Sequence, residues 1–149
     1  MTGVLTDFQI ETLLTSQVIG RLGCGREEEL YVVPILFAFQ PPYIYSHARE
    51  GTKVALMRQQ PQVCLEVDQI DNLANWRSAI IWGEFEELTD NAAEEGLQVL
   101  KSRLYPLKTG VYSQSILDLQ AQDIARAGQR AEVIYRIKIE RQSGRFEKN

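Results

Sequence analysis

The sequence predicts a mainly β protein, an antiparallel barrel with helices on its flanks. Short apolar or alternating segments bounded by turn residues recur at Val18–Cys24, Leu30–Phe39, Tyr43–Ser46, Val63–Val67, Trp76–Glu86 and Val133–Glu140. Only a few stretches carry helical spacing, and they are inserted between strands of hairpin type. The 149 residues show no repeat, low-complexity tract or linker, so residues 1–149 are expected to form one domain.

Each element follows from local chemistry. Thr6-Asp7-Phe8-Gln9 has the form of a capping box, and Ile10, Leu13 and Leu14 follow at helical spacing, predicting a helix that ends near Ser16. Val18–Cys24 reads as a strand, followed by a polar turn through Gly25 and Glu27-Glu28-Glu29. Leu30–Phe39 is a strand with Pro34 as its discordant residue, so a kink or an unpaired edge is expected there. Pro41-Pro42 turns the chain into Tyr43–Ser46. Gly51-Thr52 opens a helix to about Gln59, and Pro61 stops it. Val63–Val67 is a buried strand, with Cys64 a small core residue, and Asp68–Asn75 is a polar loop. Trp76–Glu86 is a long strand bulged at Gly83. Thr89 or Asp90 caps a helix whose Leu97, Leu100 and Leu104 share one face, and Tyr105-Pro106 ends it. Lys108–Gln129 carries scattered helical turns around Ile116, Leu119 and Ile124, before a half-exposed strand at Val133–Glu140.

Composition excludes several functions. Sixteen Lys and Arg against twenty Asp and Glu give a net charge of −4, unlike a general binder of nucleic acid or anionic membranes. Leu30–Ala48 holds no fixed charge, but Gln40-Pro41-Pro42 interrupts it, favouring two strands over a membrane-spanning helix. Cys24 and Cys64 are far apart, and with His47 as the single histidine no zinc-type ligand set is present. The first residues lack the basic and apolar regions of a signal peptide, and free thiols suit a reducing compartment, so a cytoplasmic location is expected.

The glycines of Gly20-Arg21-Leu22-Gly23-Cys24-Gly25 lack a nucleotide-binding order and read as a turn between strands. Tyr45-Ser46-His47 is more informative. A strand delivers hydroxyls and an imidazole, then a turn leads to a helix beginning with Thr52 and Lys53. Unpaired N–H groups at a helix start attract phosphate, and Lys53 adds a full charge. Trp76-Arg77-Ser78 offers a flat apolar face, a planar fork and a hydroxyl. No catalytic acid, base or nucleophile is identified.

In this order, Tyr31-Val32-Val33-Pro34-Ile35-Leu36-Phe37, Ile44-Tyr45-Ser46-His47-Ala48 with Gly51-Thr52-Lys53, Pro61–Val67, and Trp76-Arg77-Ser78-Ala79-Ile80-Ile81-Trp82-Gly83 resemble the FMN-binding split-barrel family related to pyridoxamine 5′-phosphate oxidase. The branch most similar is that of small flavin-binding proteins including nitroimidazole-resistance reductases. The resemblance implies a six-stranded antiparallel Greek-key split barrel that forms a homodimer with FMN in grooves between protomers. It implies that Val33, Pro34 and Ile35 border the isoalloxazine ring. Tyr45, Ser46 and His47 would line the ribityl chain and ring, and Lys53 would hold the phosphate with Arg77 and Ser78 assisting. Trp76 would pack near the cofactor. The implied function is an oxidoreductase that moves electrons from a reduced nicotinamide to a small organic substrate. A flavin carrier or sensor, and a haem-binding barrel with His47 as axial ligand, are the alternatives.

Overall fold

Thr6 opens the first helix as its sequence predicts. Its side chain accepts from the Gln9 N–H while the Gln9 side chain accepts from the Thr6 N–H, satisfying two donors that a helix start leaves open. The computed structural model describes residues 1–107, 119–120 and 132–149. Within them run β1 (Thr2–Val4), α1 (Asp7–Ser16), β2 (Ile19–Cys24), β3 (Tyr31–Leu36), β4 (Ala38–Gln40) and β5 (Tyr43–Arg49). They are followed by α2 (Thr52–Gln59), β6 (Gln62–Asn72), β7 (Asn75–Glu87), α3 (Asp90–Leu104) and β8 (Glu132–Glu147). The turns expected at Ile116 and Ile124 lie outside the described residues; Leu119 is buried.

All pairings are antiparallel, in the order β3-β2-β6-β7-β8-β5-β4, with β1 added beside β8. The chain passes from β3 at one edge to β4 at the other, then returns from β5 to β6 beside β2. Ser46 Oγ donates to the Leu36 carbonyl at 2.7 Å, drawing β5 against β3 so that the sheet curls toward closure. The six longer strands are those of the expected split barrel. β1 and β4, three residues each, are additional.

Several sequence expectations are corrected. The strand break in Leu30–Phe39 falls at Phe37, whose side chain is buried in the core, whereas the unpaired edge expected at Pro34 is present, since β3 ends the sheet order. Asp68–Asn75 is mostly strand. β6 and β7 form a hairpin with its tip at Leu73-Ala74, and polar side chains persist because their face is not covered by the barrel core. The alternation expected at Val133–Glu140 holds for Val133, Tyr135 and Ile137, which are buried in the barrel, against Arg136, Lys138 and Glu140; only Ile134 departs from it, because it packs beneath α3. The bulge expected at Gly83 is present as a register shift against β8 between Trp82 and Gly83.

One apolar cluster fills the barrel, with Leu13, Leu22, Phe37, Leu65, Ile81 and Tyr135 fully buried. A second joins α3 to the outside of β5 and β8 through Tyr45, Ala93, Leu97, Leu100 and Ile134. Within the barrel cluster, Tyr135 Oη finds no hydrogen bond of good geometry, and burial pushes the phenol up to about 12.

Candidate functional site

Register places the outer sheet face residue by residue. Val32, Gly23, Cys64, Trp82 and Arg141 form one row across β3, β2, β6, β7 and β8. Pro34, Arg21, Glu66, Ile80 and Ser143 form the next. Asp68, Ser78 and Arg145 continue the following row on the last three of those strands. Cys64 is therefore an outer-face residue rather than core, because Gly23 opposite it leaves room for its sulfur on that side. Cys24 is buried, and burial pushes its thiol up, away from the reactive thiolate.

A polar network joins the second row to the third. Arg21 Nη1 lies 3.0 Å from Asp68 Oδ2 and 3.6 Å from Glu66 Oε1, while Ser78 Oγ donates to Glu66 Oε2 at 2.6 Å. Partial burial pushes the Glu66 carboxyl up, helped by its neighbour Asp68 and opposed by the Ser78 hydrogen bond. Arg21, Glu66 and Asp68 escaped the sequence reading. The available signal was the alternation Cys64-Glu66-Asp68, which puts these residues on one face. Beside this network, a groove of about 590 Å³ runs past Leu30, Tyr31, Val32, Cys64 and Trp82, with the Arg141 guanidinium stacked 4.0 Å from the Trp82 ring.

The second group lies where β5 leads into α2. Gly51 caps α2 without a side-chain hydrogen bond, so the first-turn N–H groups are not satisfied by a capping side chain. Lys53 stands in that turn and has no carboxylate partner among the described residues. Nearby, His47 Nε2 is 3.3 Å from Glu132 Oε2, and Arg49 Nε donates to Glu132 Oε1 at 3.0 Å. Burial holds the His47 imidazole below its ordinary value against the pull of Glu132, with Lys53 and Arg49 adding to the depression. Lys53 beside an uncapped helix start gives this corner a cation and open N–H donors, the groups a phosphate requires.

The residues singled out from sequence do not converge on one spot of a single chain. Pro34 and Ser78 share the outer face with Arg21 and Glu66 between them. Arg77, adjacent to Ser78, points to the opposite face and donates to Gln69 Oε1. Val33 packs against the barrel core and Ile35 lies within it. Ser46 is fully buried, and its hydroxyl is engaged with Leu36. Tyr45 packs beneath α3 with its hydroxyl near Arg136. Trp76 stands near the β6–β7 tip, opposite Ile70, in a groove with Met1, Leu5 and Phe146. Cys24 on β2 feels the charge of Lys53 and lies three residues from Arg21, about 10 Å at strand rise, so β2 connects the anion corner with the outer face.

Among the described residues no helix is long and apolar enough to cross a membrane, and no His, Cys, Asp and Glu cluster is arranged for a metal ion.

The family profile described as pyridoxamine 5′-phosphate oxidase matches residues 6–146. A curated, uncharacterized protein of Rhizobium meliloti is 27% identical over 85 residues, a stretch that covers 57% of this chain and 56% of that protein, so the match spans about half the length of each. Among solved structures, an FAD-binding protein from Mesorhizobium loti superposes with a TM-score of 0.79 at 25% identity, over 100% of this chain and 98% of the other. A candidate 5-nitroimidazole antibiotic resistance protein from Bacteroides thetaiotaomicron shares the fold with a TM-score of 0.72 at 16% identity, over 98% and 87% of the two chains.

Proposed function

Since this chain belongs to the pyridoxamine 5′-phosphate oxidase family, we propose that it is a flavoprotein that binds FMN and passes electrons from a reduced nicotinamide to a small organic acceptor. The observation that carries this reading is Lys53, a cation with no carboxylate partner among the described residues, in the first turn of a helix that has no capping side chain. Lys53 and the α2 N–H groups hold the phosphate, while Pro34 and its neighbours on the outer face offer a flat surface to the ring. The flavin supplies the redox chemistry when bound, so the protein needs no catalytic triad, and its residues serve to bind and orient. The named ligand of the Mesorhizobium loti relative supports a flavin and raises FAD as the competing form.

The same reading places two copies face to face, because the site residues of one chain are spread over its outer face and the α2 corner. Free Cys24 and Cys64 suit a reducing cytoplasm.

A visible absorption spectrum of the purified protein tests the flavin, and chromatography of the released cofactor separates FMN from FAD. Yellow protein releasing FMN supports the proposal. Protein that is colourless and does not take up added FMN overturns it. Oxidation of a reduced nicotinamide with nitroaromatic or quinone acceptors then tests turnover, and its absence in flavin-loaded protein leaves a carrier.

A further inference from the structure

Arg58, on the last turn of α2, makes the most extensive ion contact in the described structure, and the flavin reading does not use it. Its Nε and Nη2 donate to Glu87 at 2.6 and 2.9 Å, while Nη1 and Nη2 donate to Glu50 at 2.9 and 2.6 Å. One guanidinium thus grips two carboxylates, one at the end of β7 and the other immediately before Gly51, the α2 cap. Each bidentate grip fixes direction as well as distance, because the planar fork matches the carboxylate.

Glu50 stands three residues before Lys53. A carboxylate there is attracted both by the Lys53 ammonium and by the open N–H groups of the first turn, the groups an anionic ligand would use. Turned toward the helix start, a Glu50 carboxylate would compete with that ligand from within the chain. We propose that Arg58 is a positioning residue for the anion site, holding Glu50 against Glu87 and α2 so that Lys53 and the helix start remain available to a ligand phosphate. This inference rests on the flavin reading for the identity of that phosphate. The anchor at Glu87 matters as much as the grip on Glu50, since it ties the clamp to β7.

Flavin titrations of the full-length protein with FMN and with riboflavin test it in four proteins: wild type, Arg58→Gln, Glu50→Gln and the double variant. Arg58→Gln is expected to weaken FMN binding about tenfold and to leave riboflavin binding nearly unchanged. Glu50→Gln is expected to have little effect alone, because that carboxylate is already held, and to restore most of the FMN affinity when added to Arg58→Gln. Equal losses for both flavins would show a purely structural role and overturn the proposal. So would a Glu50→Gln gain of the same size in both backgrounds, which reports long-range charge alone. If Arg58→Gln does not fold, Arg58→Lys, which keeps the charge and loses the fork, is read in the same way. Wild-type protein that binds neither flavin overturns the flavin reading itself. Wild-type protein that binds both equally retains the flavin and refutes the guarded phosphate site.

Discussion

Lys53 and His47 play different parts at the β5–α2 corner: the first offers a cation to a ligand, while the charge of the second depends on its burial. Charge-assisted hydrogen bonds contribute ~1.5–3 kcal/mol, so Lys53→Ala should weaken FMN binding by about ten- to a hundredfold while sparing riboflavin, as read by flavin fluorescence titration. For His47 the expectation concerns stability. Burial lowers its pKa below the ordinary 6.5, outweighing Glu132, and Arg49 and Lys53 add to the effect. The unfolded chain therefore binds this proton more readily than the folded one. Stability should fall as acid is added, from just above pH 6.5 down to the lowered folded value, and then level off. Urea midpoints of flavin-free protein at about pH 8 and about pH 5.5 should differ less in His47→Gln than in wild type. Both residues were legible from the strand-turn-helix order of Tyr45–Lys53. Glu132 was not, because it is 79 or more residues from either of them and only the β5–β8 register brings it to His47.

At the scale of elements, strands and helices announced by local chemistry were readable. Thr6 with Gln9 marks α1, and the leucines of α3 mark its buried face. What escaped was decided by pairing. The polar run after Val67 gives no apolar signal, yet it continues β6 because β7 hydrogen-bonds along its length. Gly83 was legible as a bulge, and the fold explains the need for it. A Cβ at this position would lie 2.2 Å from the Lys138 carbonyl oxygen and 2.8 Å from Ile137 Cγ2. Since backbone rather than a pliable side chain stands in the way, Gly83→Ala should cost at least ~1–3 kcal/mol, seen as a lower urea midpoint. The outer-face network of Arg21, Glu66, Asp68 and Ser78 belongs to this scale too, because it exists only once β2, β6 and β7 are aligned.

For the whole molecule, the outer face poses the largest question. Leu30 and Val32 are 70% and 71% exposed, and Ile19, Leu36 and Ile80 are exposed beside them. Apolar area of this kind on a folded protein marks a contact surface. A second copy is the proposed occupant, so light scattering behind size exclusion should give about twice the 17.0 kDa chain mass. Substituting Val32→Glu should shift that mass toward the monomer. The same strand has another consequence. β3 ends the sheet order, and an edge rich in valine and leucine is where chains tend to stack into fibrils. Pro34 lies in the middle of that edge and carries no amide hydrogen, which breaks the run of donors a stacking chain would require. The ring proposed to face a cofactor is therefore also expected to oppose amyloid-like assembly, and Pro34→Val should leave the barrel folded but raise its thioflavin-positive aggregation on storage.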